Sequence, residues 1–75
     1  MKNKGLIFHR KRRGISQKAL ARDLDITREY VSLLENSKKR PSSYLARQIA
    51  KYFETTTEAV FPRELSEESE TENST

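Results

Sequence analysis

The chain has no cysteine, one histidine and only two glycines among its 75 residues. Without cysteine, neither a disulfide framework nor a thiolate metal site can form. His9 by itself supplies neither a metal site nor a catalytic dyad, and Gly5 and Gly14 do not make a glycine-rich phosphate loop. No nucleophile–base pair is evident. We therefore expect no enzyme activity, no metal, no cofactor and no small-molecule ligand.

Long apolar runs are also lacking. Near the N-terminus only Leu6, Ile7 and Phe8 are apolar before His9 and Arg10, which is unlike a signal peptide. No segment approaches the length of a membrane span, so we expect a cytoplasmic protein with no membrane contact. At 33% hydrophobic residues the chain is one small domain near the lower size limit for an independent core, where a second copy can add burial.

The charge is distributed very unevenly. Residues 1–63 hold all fifteen Lys and Arg and six acids, a net charge of +9, whereas residues 64–75 hold five Glu and no base. A basic domain attracts polyanions such as nucleic acid, although many small domains are basic for solubility alone. We expect a folded domain over 1–63 and a disordered acidic tail over 64–75. The tail either solubilises the protein or competes weakly for its basic face.

Capping residues and apolar spacing predict an all-α fold of five short helices. The predicted spans are 3–13 ending at Gly14, 17–24 capped by Ser16, 28–36 capped by Thr27, and 43–53 capped by Ser42. Thr55 and Glu58 match the S/T-x-x-E capping pattern, which predicts a short fifth helix ending at Phe61-Pro62. The connection at Asp25-Ile26 is very short, and Asp tolerates turn conformations better than most residues.

The predicted third helix has two unlike faces. At about 100° per residue, Val31, Leu34 and Glu35 share the core side. An unpaired buried carboxylate is costly, so we expect Glu35 either to pair with Arg10 of the first helix or to remain solvated at the rim. The outward set consists of Arg28, Glu29, Ser32 and Leu33.

This outward set has the chemistry of base recognition. Arg pairs with guanine, Glu accepts from cytosine, Ser is permissive and Leu contacts the thymine methyl group. The alternative is a solvated surface with one incidental leucine. Helix N-termini and nearby cations favour phosphate, although Thr27 and Ser42 also act as caps. The candidate phosphate contacts are Gln17, Thr27, Lys38, Lys39, Arg40, Ser42 and Ser43.

Together these motifs resemble a known family. The residues that carry the resemblance are Ser16-Gln17, Leu20-Ala21, Ile26-Thr27, Val31-Ser32, Glu35, the run from Lys38 to Ser42, and Ile49-Ala50. Over about residues 4–62 they resemble the Cro/repressor-type helix-turn-helix domain, also called the xenobiotic-response-element family. The resemblance implies a compact lambda-repressor-like bundle that places its third helix in the major groove of operator DNA, usually as a dimer. It also implies the site roles given above and a buried Arg10–Glu35 bridge.

Three residues depart from the family pattern. Asp25, Ser37 and Glu54 stand where the family usually has Gly, or in the last case Gly or Asn. We expect some strain in the turn at Asp25, and the geometry of the other two turns stays open. The resemblance also suggests dimerisation through the fifth helix, with Val60 and Phe61 at the interface. These two residues are equally explained as the closing edge of the core.

The leading functional hypothesis is a small dimeric repressor that reads an inverted-repeat operator in double-stranded DNA. The alternative is a protein-interaction module that binds another regulator or a toxin partner. In that case Arg28 and Leu33 would tolerate substitution without an effect on DNA affinity.

Overall fold

The computed structural model describes residues 2–62, which contain five α-helices and no strand. They are α1 (Lys4–Arg12), α2 (Gln17–Leu24), α3 (Arg28–Glu35), α4 (Ser43–Tyr52) and α5 (Thr57–Val60). The all-α prediction is confirmed. The predicted bounds agree for α2 and differ by one residue at both ends of α1 and at the C-terminal ends of α3 and α4.

Each helix begins at a residue whose side-chain oxygen accepts a hydrogen bond from a backbone N–H in the first turn. The five caps are Asn3, Ser16, Thr27, Ser42 and Thr56, with donor–acceptor distances of 3.0 to 3.2 Å. Such caps satisfy one of the N–H groups that have no partner within the helix, and each contributes roughly 1 kcal/mol. The closely spaced caps explain why so short a chain forms five separate helices.

Left-handed backbone follows each of the first four helices. Gly14 has φ +69°, and Asp25, Ser37 and Glu54 have φ of 61°, 56° and 57°. A left-handed residue lets the next amides bond back to the last carbonyls of the helix, as when Ile26 N–H donates to the Ala21 carbonyl at 2.9 Å. The three non-glycine residues are those that depart from the family pattern, and all three adopt the left-handed conformation that glycine favours.

The fifth helix begins one residue later than predicted. Its cap is Thr56, whose hydroxyl accepts from Ala59 N–H, so the assignment of the cap to Thr55 is wrong. The backbone N–H of Thr55 instead donates to the Ala50 carbonyl at 2.9 Å and closes the end of α4. Because Glu54 and Thr55 complete the preceding helix, the next helix starts after them.

The core lies where all five helices meet. Its buried hydrophobic residues are Leu6, Leu20, Ala21, Val31, Leu34, Ala46, Ile49, Ala50, Phe53, Val60 and Phe61. Helices α1 and α5 approach so closely that a Cβ atom on Gly5 would overlap the carbonyl oxygen of Ala59. Glycine at this position therefore allows α5 to pack against α1 and close the core.

The burial of α5 corrects one prediction. Val60 and Phe61 are both 0% exposed, so they have no surface left with which to line a dimer interface. They close the core, which was the other explanation that the sequence allowed. The predicted domain boundary at residue 63 and the predicted acidic tail over 64–75 lie outside the described residues.

Candidate nucleic-acid interface

Helix α3 follows α2 after a turn of only three residues, Asp25 to Thr27. Thr27 has extended backbone and caps α3 through a 3.0 Å hydrogen bond from Tyr30 N–H. Ile26 just before the cap is half-buried against the core that contains Val31, as expected of a hydrophobic staple. The tight turn, the Thr27 cap and the Ile26 staple fix the direction of α3 relative to α2.

The two faces of α3 differ as the helical period predicts. Val31, Leu34 and Glu35 are buried, with at most 3% of their surface exposed. On the opposite face Glu29 is exposed and Leu33 is 41% exposed, and Arg28, which is also exposed, flanks this face. Leu33 lies beside Glu29 on the helix surface, so this face offers both methyl-contacting and hydrogen-bonding groups.

Ser32 differs from the other three outward candidates because it is half-buried. The side-chain amide of Asn36 donates to the Ser32 carbonyl at 2.9 Å and to its hydroxyl oxygen at 3.3 Å. The hydroxyl keeps its own proton for an acceptor outside the protein. Ser32 therefore lies at the edge of the exposed face rather than at its centre.

A hydrogen-bonded network connects the core to the exposed face of α3. Arg10 forms a two-pronged ion pair with Glu35, in which Nε lies 2.5 Å from Oε2 and Nη2 lies 3.2 Å from Oε1. Arg10 Nη1 also donates to the Ile15 carbonyl at 2.9 Å. The Glu35 carboxylate is thus paired although it is buried, and the pair ties α1 to α3.

Gln17 extends this network outward. Its side-chain Nε2 donates to Glu35 Oε1 at 3.0 Å, and its Oε1 accepts from Arg28 Nη1 at 3.5 Å. Sequence reasoning assigned Gln17 to phosphate alone and missed this internal role. A buried carboxylate needs several hydrogen-bond donors. That requirement is the sequence signal from which a second polar partner for Glu35 could have been inferred.

The basic loop after α3 begins with two hydrogen bonds to the last turn of the helix. Ser37 N–H donates to the Leu34 carbonyl at 3.2 Å, and Lys38 N–H donates to the Leu33 carbonyl at 2.8 Å. The loop residues Lys38, Lys39 and Arg40 are exposed. The beginning of this cationic segment is therefore held directly against the helix that carries the candidate base-reading residues.

The N-terminus of α4 follows the basic loop. Pro41 is buried, and Ser42 caps α4 by accepting from Leu45 N–H at 3.1 Å. Ser43 is the first helical residue and is exposed, and Tyr44 after it is 68% exposed. The cap uses the Ser42 hydroxyl oxygen as an acceptor, so its hydroxyl proton remains available for an acceptor such as a phosphate oxygen.

These features define a class of protein: a DNA-binding helix-turn-helix domain, with two capped helices joined by a tight turn and a basic loop fixed to the second helix. The Helix-turn-helix family model matches residues 9–60. The chain belongs to the Cro/repressor-type helix-turn-helix family, whose members are DNA-binding regulators of transcription. No curated protein and no solved structure matches the chain. Within residues 2–62, no helix has the length and apolar character needed to cross a membrane.

Proposed function

We propose that the protein is a small transcriptional repressor that acts as a homodimer in the cytoplasm and places α3 in the major groove of its operator. One observation carries this proposal. Glu29 and Leu33 project from α3 opposite its buried face, and exposed Arg28 flanks them at the start of the helix. A helix held by its core side and bearing such an outward set has the geometry needed to read base edges.

In this proposal each exposed residue of α3 contacts a different base. Arg28 pairs with guanine O6 and N7, Glu29 accepts from cytosine N4, and Leu33 contacts a thymine methyl group. Ser32 contributes its hydroxyl proton from the edge of the face. Arg28 Nη1 lies 3.5 Å from Gln17 Oε1, which places the guanidinium beside one of the proposed phosphate contacts.

Phosphate contacts surround the base-reading face. The proposed set is Gln17, Thr27, Lys38, Lys39, Arg40, Ser42 and Ser43. One N–H of the Gln17 amide is used by Glu35, and the amide has a second one for a phosphate oxygen. The cations of the loop add electrostatic attraction that does not depend on sequence. These contacts fix the register of α3 in the groove.

The homodimer follows from the family's usual mode of binding. Because Val60 and Phe61 are buried in the core of one chain, the dimer interface must use other residues. A two-fold dimer predicts an inverted-repeat operator whose half-sites lie about one helical turn apart. In this proposal residues 1–63 are the DNA-binding domain, and residues 64–75 are an acidic tail outside it.

The proposal is tested by selecting bound sites from a random duplex pool at about physiological salt and sequencing them. We expect an enriched inverted repeat. Arg28→Ala should then weaken operator binding by about 1–3 kcal/mol and relax the preference at one base pair. Lys39→Ala should weaken binding to all DNA sequences about equally. Arg47→Ala is the matched control, since it removes an exposed cation of α4 outside the proposed interface.

Each other outcome has a distinct meaning. Measurable affinity without enrichment would show that the basic surface binds DNA indiscriminately, which contradicts a sequence-specific repressor. An absence of DNA binding by folded protein would favour the alternative, a module that binds another regulator or a toxin partner. If Arg28→Ala and Lys39→Ala behaved alike, the proposed division between base-reading and phosphate-binding residues would be wrong.

A further inference from the structure

Tyr30 lies on α3 between the base-reading face and the buried face. It is half-buried and packs against the core. The ammonium group of Lys39 lies over the Tyr30 ring, 5.7 Å from the ring centroid. This distance is within the range of about 6 Å in which an aromatic face attracts a cation. The contact joins the recognition helix to the side chain of a loop residue nine positions further along the chain.

The backbone that leads to Lys39 is already fixed. The amides of Ser37 and Lys38 donate to carbonyls in the last turn of α3. Hydrogen bonds of this kind hold the loop backbone but leave a lysine side chain free to rotate about its four-carbon stem. The Tyr30 ring therefore restricts the part of Lys39 that the backbone contacts do not reach.

We propose that Tyr30 is a positioning residue for DNA binding, which holds the Lys39 ammonium beside α3 for a phosphate that flanks the major groove. This inference rests on the proposed function. Ordering a long side chain opposes binding, so an ammonium that is restrained before DNA arrives loses less freedom on contact. An ammonium has three N–H donors, and a ring face leaves donors available for phosphate oxygens.

Two substitutions separate the ring from the other properties of Tyr30. Tyr30→Phe removes the hydroxyl and keeps the aromatic face. Tyr30→Leu keeps an apolar side chain against the core and removes the face. A residue that acted only by filling space would tolerate both changes, and one that acted through its hydroxyl would fail with Phe.

The contact itself is tested in the free protein by NMR. An aromatic ring shifts protons above its face upfield, so the ε-methylene protons of Lys39 should resonate upfield of those of Lys38. Tyr30→Leu should abolish the difference and Tyr30→Phe should retain it. Equal resonances for the two lysines in the unsubstituted protein would overturn the inference whatever DNA the protein binds.

The consequence for binding is tested on the selected operator by a double-mutant cycle. Tyr30→Leu should lower the affinity about two- to fivefold, the size expected of an exposed cation–aromatic contact, and make its dependence on salt shallower. Tyr30→Phe should bind within twofold of the parent protein. Combined with Lys39→Ala, Tyr30→Leu should have no further effect, whereas combined with Lys38→Ala its effect should persist.

Two results distinguish this inference from the proposed function. An equal loss from Tyr30→Leu with and without Lys39, on an operator that the parent protein selects, would overturn the positioning role and leave the repressor intact. A parent protein that selects no operator would overturn both. Thermal unfolding of each variant accompanies the titrations. If Tyr30→Leu fails to fold, Lys39→Met with Tyr30 retained provides the test, and unchanged affinity and salt dependence would overturn the role.

Discussion

Relieving the left-handed residues at the helix ends should stabilise the protein. Asp25, Ser37 and Glu54 have φ of 61°, 56° and 57°, a region that costs a residue with a Cβ atom roughly 1–2 kcal/mol. Glycine removes this cost but gains conformational freedom in the unfolded chain, which offsets roughly 0.5–1 kcal/mol. We expect a net gain of about 0.5–1 kcal/mol each for Ser37→Gly and Glu54→Gly. The gain should be smaller for Asp25→Gly because Asp tolerates this conformation better.

The triple variant should gain about 2 kcal/mol, since the three turns end different helices and their effects should add. In a domain of this size that corresponds to a rise of roughly 8–16 °C in Tm. Urea and thermal unfolding of the single and triple variants give the measurement. The increase should appear as a higher midpoint with an unchanged m-value, because the surface exposed on unfolding stays the same.

Alanine at the same positions is the matched control. Glu54→Ala removes the carboxylate and keeps a Cβ atom, so it should leave most of the strain in place. If alanine stabilised the protein as much as glycine, the gain would come from loss of the side chain and not from the backbone. If glycine lowered the stability at Ser37 and Glu54, the reasoning from positive φ would be refuted.

Three further predictions concern the core and the pH dependence of stability. Glu35→Leu should lower the free energy of unfolding, measured in urea, by about 3 kcal/mol because it leaves the half-buried Arg10 without its partner. Adding Arg10→Met should recover part of this loss. No recovery would contradict the conclusion that the two charges are paired. Gly5→Ala should destabilise by about 1–3 kcal/mol through overlap with α5, and a neutral effect would mean that the two helices separate easily. The hydrogen bond to Asp23 raises the pKa of Tyr52 above 10.0. The stability that this hydrogen bond contributes is therefore fully present below about pH 10 and is lost as the pH rises through the folded-state pKa. Tyr52→Phe should show a smaller alkaline loss of Tm than the parent protein, and equal losses would rule out this group as the cause.

Much of the fold could be predicted because its signals are local. Ser16, Thr27 and Ser42 are N-caps in the structure as in the sequence, since a cap needs only a side-chain oxygen three residues before an amide. The faces of α3 follow from the helical period alone. The cap of α5 was misplaced because Thr55 and Thr56 both offer a hydroxyl, and the end of α4 decides between them.

The site was less accessible to sequence reasoning because its contacts join distant segments. The period of α3 placed Glu29 and Leu33 opposite the core, flanked by Arg28 and Ser32. It could not show that the Gln17 side chain lies between Glu35 and Arg28, since that depends on how α2 packs across α3. The same limit applied to Val60 and Phe61. The sequence pattern of an apolar pair at a helix end is the same whether the pair lies in the core or at an interface. The roles of Arg28, Glu29 and Leu33 in binding DNA stay predictions.

Under the proposed function, the network from Arg10 to Arg28 bears on how the sequence that α3 reads could be changed. Glu29 and Leu33 are exposed on α3, and surface substitutions of this kind usually change stability by no more than about 0.5 kcal/mol. Arg28 lies 3.5 Å from the Gln17 side chain, which in turn donates to the buried Glu35 carboxylate. If α3 reads DNA as proposed, Glu29 and Leu33 can be exchanged with little effect on stability, whereas an exchange of Arg28 also removes its hydrogen bond to Gln17.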